Sequence, residues 1–378
     1  MQVYRRGDRG PAIAEIRDKL ARLGLLDGPP GGGTAEDVFD SAVEHGVRTF
    51  QQQRGLRIDG VVGAETYRVL DEARWHLGDR PLSFAVAHPY TGDDVAALQQ
   101  RLLEMGFDPG RCDGRFGART EAALREFQRN VGLAADGILG PTTLAALQRL
   151  RRTVTGGSPS ERREEEQLLR GGSALSGRVI VLDPGHGGDD LGACAHGLVE
   201  SELALDLATR VEGRLGALGV VTYLTRGEQT SPDEDERARF ANSVAADLLL
   251  SLHTDAALSE KPCGVATYYY GATLRGGPVR SVVGERLATL VQKEIVARTD
   301  LLDCRTHEKS WQLLRVTRMP AVRVDVGYIT SAKDAARLGS AEFRDAVAEA
   351  VVAAIQRVYL PQDKDIPTGQ FRMPALSR

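Results

Sequence analysis

The chain reads as a multidomain protein: two small all-α repeats of three helices each, followed by an α/β domain with a mostly parallel sheet. Three observations carry this reading. An internal repeat fills the first 150 residues. From Gly177 onward, short β-branched runs alternate with amphipathic stretches. Between the two regions lies a segment rich in Gly, Ser and charge, which is a poor core former. At 378 residues the chain exceeds a single core and suits two or three domains.

The first repeat spans residues 1–75 and the second 84–150. Gly7-Asp8 precede Ile13, Ile16, Leu20 and Leu23; Gly92-Asp93 precede Val95, Leu98, Leu102 and Met105. Apolar residues three and four apart mark one buried face of a first helix. A second helix ends in Phe50-Gln51 and in Phe127-Gln128. Each is followed by a D-G turn, Asp59-Gly60 and Asp136-Gly137, where glycine permits a positive φ. A short third helix carries Thr66 and Thr143. Residues 28–33 are an insertion in the first unit and read as a surface loop. Residues 151–176 read as a linker, with the charged run 161–166 as a solvated helix.

In the α/β domain, residues 177–360, strands are predicted at 179–182, 220–224, 248–252, 265–270 and 322–326. Helices are predicted at 200–218, 233–245, 282–298 and 342–358. The stretch from Cys304 to His307 reads as an ordinary loop, and Tyr268-Tyr269-Tyr270 as a strand with one face inward. Residues 361–378 read as a flexible tail with too little apolar surface to offset ordering.

Composition excludes several classes. A net charge of -4 gives no reason to expect nucleic acid. No segment approaches the roughly 20 apolar residues of a membrane span. The start of the chain lacks the apolar stretch of a secretory signal, so a cytoplasmic location is expected. Cys112, Cys194, Cys263 and Cys304 form no C-x-x-C pair and read as reduced thiols. Trp75 and Trp311 read as packing residues, with glycan contact as the alternative.

One constellation carries chemistry. His186 follows the strand 179–182 in a glycine-rich turn, and His253 follows the strand 248–252. Parallel sheets bind ligands outside their strand carboxyl ends, so the two imidazoles share a crevice. Glu200 opens the helix between them. Two imidazoles and one carboxylate make a three-ligand zinc site with a fourth position open, the pattern of a metal-dependent hydrolase.

At this point a resemblance becomes specific. Residues 177–360 resemble the zinc-dependent N-acetylmuramoyl-L-alanine amidase family. The matching stretches are Leu182-Asp183-Pro184-Gly185-His186-Gly187-Gly188, Glu200, Ser251-Leu252-His253-Thr254-Asp255-Ala256, and Met319 through Tyr328, in family order. Residues 1–150 resemble two peptidoglycan-binding repeats. The resemblance implies zinc held by His186, Glu200 and His253. It also implies hydrolysis of the amide between muramic acid and L-alanine in peptidoglycan or muropeptide precursors. One departure stands out: Asp325 occupies the place of the family's catalytic glutamate. Asp325 is the candidate catalytic acid/base, with about 1.5 Å less reach; misplacement of about 1 Å can cost on the order of 100-fold in rate. The alternative is a strand-end carboxylate bound only to a neighbouring backbone N–H. The family's Asn after Gly327-Tyr328 is also missing, with Thr330-Ser331-Ala332 in its place.

The combination of two repeats, an amidase-like domain, Asp325 and no recognisable secretory signal resembles the actinobacterial CwlM group in particular. That resemblance implies a second role, a non-catalytic cytoplasmic regulator of peptidoglycan precursor synthesis. Its partner would be UDP-N-acetylglucosamine enolpyruvyl transferase, and its switch phosphorylation of the tail by a Ser/Thr kinase. Thr368 is the matching candidate. Two functions are therefore expected to compete: an amidase weakened at Asp325, and a regulator.

Overall fold

The computed structural model describes residues 3–26, 37–150, 159–170, 172–274 and 277–360. The insertion 28–33, the start of the linker and the tail with Thr368 lie outside the described residues. The chain divides into two compact units. The first is Met1–Arg162 with Gly271–Val279 and Lys309–Trp311; the second is Arg163–Tyr270 with Arg280–Glu308 and Gln312–Arg378.

The first unit contains two three-helix repeats, α1(Pro11–Arg22), α2(Ser41–Gln53) and α3(Ala64–Ala73), then α4(Asp93–Glu104), α5(Ala118–Asn130) and α6(Pro141–Arg149). Pro11 and Pro141 stand in the first turn of α1 and α6, where a missing N–H costs nothing. Each repeat has its own apolar core: Ile13, Ile16, Val43, Phe50 and Leu70 in the first, Leu98, Leu102, Leu124, Phe127 and Leu147 in the second. The Phe-Gln and D-G matches have one physical cause. Gln51 is buried, and its Nε2 donates to Asp59 Oδ1, Val61 O and Thr66 Oγ1 at 2.8, 2.9 and 3.2 Å. Its Oε1 accepts from Gly60 N. Gln128 repeats this set with Asp136, Ile138, Thr143 and Gly137. Gln99 makes it a third time with Asp113, Arg115, Thr120 and Gly114. A buried amide with all its bonds made fixes the turn to the helix. Gly60 and Gly137 have φ of 75° and 73°, as the D-G turns required. Between the repeats, the Arg54 guanidinium grips Asp93 with two bonds of 2.9 and 2.7 Å, both side chains buried.

The α/β domain lies mostly in the second unit, with the end of β6 and most of β7 counted in the first. Its elements are α7(Pro159–Leu169), β1(Val179–Pro184), β2(Cys194–Ala195), β3(Leu198–Val199), α8(Glu200–Ala217), β4(Val221–Leu224), α9(Glu234–Ser243), β5(Leu248–Asp255), β6(Val265–Leu274), β7(Gly277–Arg280), α10(Val282–Arg298), β8(Asp303–Lys309), α11(Gln312–Val316), β9(Ala321–Tyr328), α12(Ala332–Leu338) and α13(Ala341–Val358). The sheet order is β4-β1-β5-β9-β6-β7, with β8 paired to β6. The pairs β4–β1, β1–β5 and β5–β9 are parallel and β6–β9 is antiparallel. The sheet is therefore mostly parallel, as the alternation of strand and helix signals demanded.

Residue parity sorts the two faces. Ile180, Leu182, Leu248, Leu250, Leu252, Val322, Val324 and Val326 join one core with Leu203, Leu207, Val211 and Leu215 of α8, Leu287 and Val291 of α10, and Val351 and Ile355 of α13. The opposite parity carries Asp183, Ser251, His253, Arg323 and Asp325. This leaves these polar side chains on the other face, where Arg237 of α9 meets Asp183.

Two expectations change, and one feature went unread. The charged run 161–166 is helical, but α7 is not merely a solvated helix in a linker. Leu168 is buried in the α/β core. Glu164 accepts hydrogen bonds from Ser281 Oγ and Val283 N at the start of α10. The Cys304–His307 stretch is strand β8 rather than a loop. The short β2–β3 hairpin ahead of α8 gave no periodic signal, because each strand is two residues long.

Candidate metal centre

The site grows from the carboxyl ends of β1 and β5, adjacent parallel strands in which Pro184 pairs with Leu252. Beyond β1 the chain turns sharply, and His186 takes a left-handed φ of 57°. The turn is closed by Gly187 and Asp190, which exchange backbone hydrogen bonds of 2.7 and 2.9 Å. Gly185 is required by close approach: a Cβ there would lie 2.2 Å from His253 Cε1. His253 sits at a register shift between β5 and β9, and Thr254 N–H beside it donates to Glu200 Oε1 at 3.2 Å. Glu200 is the first residue of α8, buried, and its Oε2 accepts from Ala193 N at 3.0 Å.

These three side chains converge. Ligand atoms of His186, Glu200 and His253 lie within 4.8 Å of one another. Glu200 Oε1 is 3.3 Å from His186 Nε2 and 3.0 Å from His253 Nδ1. Tetrahedral zinc, with bonds of about 2.0–2.2 Å, sets its ligand atoms roughly 3.3 Å apart. Asp190 Oδ2 contacts His186 Nδ1 at 2.8 Å, which leaves Nε2 as the atom facing the site. Donor types, spacing and this outer carboxylate fit zinc.

The electrostatics agree with a cation site. Burial works against ionisation of Glu200, but hydrogen bonds from both histidines and from Ala193 N–H outweigh it and hold the carboxyl well below its usual range. Glu200 in turn raises His186 above the ordinary imidazole value. Burial, helped by the positive charge of Arg323, lowers His253, which favours the neutral ring that ligation needs. Behind the site, Asp183 is buried. Arg237 Nη1 donates to its Oδ1 at 2.8 Å, and Ser251 Oγ donates to its Oδ2 at 2.6 Å.

Asp325 pairs in register with His253, one strand away and on the same face. Among the described residues its hydrogen-bond partner is the Arg323 guanidinium, whose Nε donates to Oδ1 at 2.7 Å. Sequence reasoning passed over Arg323, although the alternation in Val322-Arg323-Val324-Asp325-Val326 puts both charges on one face. It also passed over Asp190, whose signal is only its place four residues beyond His186. His307 donates through Nε2 to Cys304 O and lies beside the Tyr268 ring, so this pair serves strand structure. Trp75 is flanked by the Arg74 and Arg80 guanidiniums at 4.5 and 4.4 Å.

Fold and site define the class: an α/β domain with a His–Glu–His cluster at the carboxyl ends of a parallel sheet, preceded by paired three-helix repeats. Comparison with known proteins names the family. The model for N-acetylmuramoyl-L-alanine amidases matches residues 180–357, and that for putative peptidoglycan binding domains matches 9–70 and 91–147. The N-acetylmuramoyl-L-alanine amidase CwlM of Mycobacterium tuberculosis is 47% identical over 98% of this chain and 93% of its own. The amidase LytC of Bacillus subtilis is 33% identical over 52% of this chain, which spans 38% of that protein. Among solved structures, the amidase AmiC2 of Nostoc punctiforme has 32% identity and a TM-score of 0.43, covering 48% of this chain and 96% of its own. The chain belongs to the N-acetylmuramoyl-L-alanine amidase family.

Proposed function

We propose that this chain is a zinc amidase that hydrolyses the amide between the muramic acid lactyl group and L-alanine, in peptidoglycan or its precursors, with turnover held down at Asp325. The observation that carries this reading is the convergence of His186, Glu200 and His253 in a chain of this family. These residues would hold zinc, which when bound supplies a Lewis acid for the amide carbonyl. Asp325 would take a proton from the attacking water and hand it to the leaving nitrogen. The oxygen of water joins the acyl carbon, the C–N bond breaks, and the amine of L-alanine leaves with the proton. Two features support slow turnover: Asp is one methylene shorter than Glu, and Arg323 already engages Oδ1. The repeats would hold the domain to its glycan substrate.

The test is an assay of the purified protein on muropeptides with zinc measured in the same sample. Slow cleavage by zinc-loaded wild type and faster cleavage by Asp325→Glu at equal zinc content are expected. His186→Ala should lose the metal. Absence of cleavage by both folded, zinc-loaded proteins would overturn the amidase reading.

The engagement of Asp325 by Arg323 favours a second reading, a non-catalytic cytoplasmic regulator of precursor synthesis. It would act on UDP-N-acetylglucosamine enolpyruvyl transferase and be switched by a Ser/Thr kinase at Thr368. A pull-down of the transferase with phosphorylated, unphosphorylated and Thr368→Ala protein tests it. Equal recovery in all three, or recovery in none, would remove the switch.

A further inference from the structure

Arg226 lies two residues beyond the end of β4 and is buried. Among the described residues its guanidinium bonds to backbone carbonyls alone: Nε to Pro184 O at 2.9 Å, Nη1 to Gly227 O at 2.9 Å, and Nη2 to Gly185 O and Ser201 O at 2.8 Å each. Among the described residues no carboxylate forms an ion pair with it. Gly185 immediately precedes His186, and Ser201 immediately follows Glu200. One nitrogen, Nη2, therefore bridges the two segments that deliver two of the three ligands.

Arg237 of α9 completes the cradle. It donates to Pro184 O at 2.7 Å and to His186 O at 2.8 Å. Three consecutive carbonyls of the turn thus accept from two guanidiniums, and the costly left-handed backbone of His186 is held from behind. The turn is shaped to admit Arg226: a Cβ at Gly187 would lie 2.5 Å from Arg226 Cδ and 2.6 Å from its Nε. Burying a cation with no ion-pair partner is expensive, and the charges of Asp183 and Asp190 offset burial and the repulsion of Arg237 only in part; an apolar side chain would fill the same space at lower cost. An apolar side chain could not fix the distance between Gly185 O and Ser201 O. A rigid guanidinium does so, while a lysine ammonium offers one point donor on a flexible stem.

We propose that Arg226 is a positioning residue for the metal centre. It ties the His186 turn to the start of α8, so that His186 Nε2 and Glu200 Oε1 stand at ligand spacing before any ion arrives. This rests on the metal reading of the site. It predicts that Arg226 sets affinity for the ion, since ligands held in place lose less freedom on binding.

The experiment measures zinc affinity of the full chain by competition with a chromophoric chelator, for wild type, Arg226→Lys, Arg226→Met and Arg178→Met. Arg178 is another buried arginine, bonded to Asp247 and Gly172 O just before β1, at the end of that strand away from the site. Circular dichroism and urea midpoints establish that each variant is folded. Arg226→Lys keeps charge and most of the volume and carries the test if Arg226→Met does not fold. The expected result is affinity weakened about 10–100-fold in the Arg226 variants, the range for outer-shell partners of a metal site. Arg178→Met should lose stability and keep wild-type affinity. Wild-type affinity in folded Arg226→Lys would overturn the proposal, as would an equal loss in Arg178→Met. Failure of the wild type itself to bind zinc would instead refute the metal reading, and this inference with it.

Discussion

At the residue scale, the site depends on what surrounds the ligands as much as on the ligands. Asp183 shows this. Burial opposes its charge, but Arg237, Ser251 and Thr225 outweigh that and depress its carboxyl below the ordinary value of about 3.9. A depressed carboxyl contributes stability that is fully present above pH of about 4 and is lost as pH falls through the folded-state value. Asp183→Asn should therefore cost most at neutral pH, about 3–5 kcal/mol, because Arg237 is left buried and uncompensated. The deficit should shrink as the solution is acidified; urea unfolding at several pH values reads both. Gly185→Ala tests the close packing of turn and imidazole. The added methyl meets the His253 ring at 2.2–2.6 Å, so stability should fall by about 1–3 kcal/mol, with zinc content falling in the same protein.

At the scale of elements, α7 is the informative case. Its run Glu161-Arg162-Arg163-Glu164-Glu165-Glu166 has the composition of a solvated helix, and only Leu168-Leu169 breaks it. Yet Leu168 is buried in the core and Glu164 caps the start of α10 alongside Ser281. Leu168→Ala should lower the stability of the α/β domain by about 2–5 kcal/mol, the range for a buried leucine. A solvated helix would lose a few tenths, so the urea midpoint separates the two. Helices with apolar residues three and four apart were legible from spacing: the expected 282–298 is α10, Val282–Arg298, with Val283, Leu287, Leu290, Val291 and Ile295 buried. Docking of a polar helix by one leucine and one carboxylate was not, because neither residue is unusual until its partner on another segment is known.

At the scale of the whole molecule, the compact units follow the division into repeats and α/β domain in outline only. The first unit draws in Gly271–Val279 and Lys309–Trp311 from the second half of the chain. A fragment of residues 1–150 keeps both closed apolar cores and all three buried glutamine networks, so it should fold on its own. It lacks the two drawn-in segments, so it should melt a few degrees below the same region in the full chain; about 1 kcal/mol corresponds to that shift. Calorimetry of fragment and full chain decides this. A fragment with no cooperative transition would show that the repeats need the rest of the chain.

The sequence by itself determined the repeat architecture, the mostly parallel sheet and the three candidate ligands. Each of these rests on local information: spacing of three and four for a helix, alternation for a strand, glycine and histidine at a strand end. Even the Phe-Gln and D-G matches were local, since Gln51 reaches its partners between Asp59 and Thr66. Only the tertiary structure decided how the site is held and what Asp325 faces. Arg226 reaches back across the sheet to Pro184 and Gly185, and Arg237 to His186. Hydrogen bonds of that kind are fixed by strand order and register, and a guanidinium bonded to backbone carbonyls leaves no trace in the identity of the residues it grips. Arg323 marks the boundary. Alternation placed it beside Asp325 on one face, but only the rotamer that brings Nε to Oδ1 joined them, and packing across neighbouring strands selects rotamers.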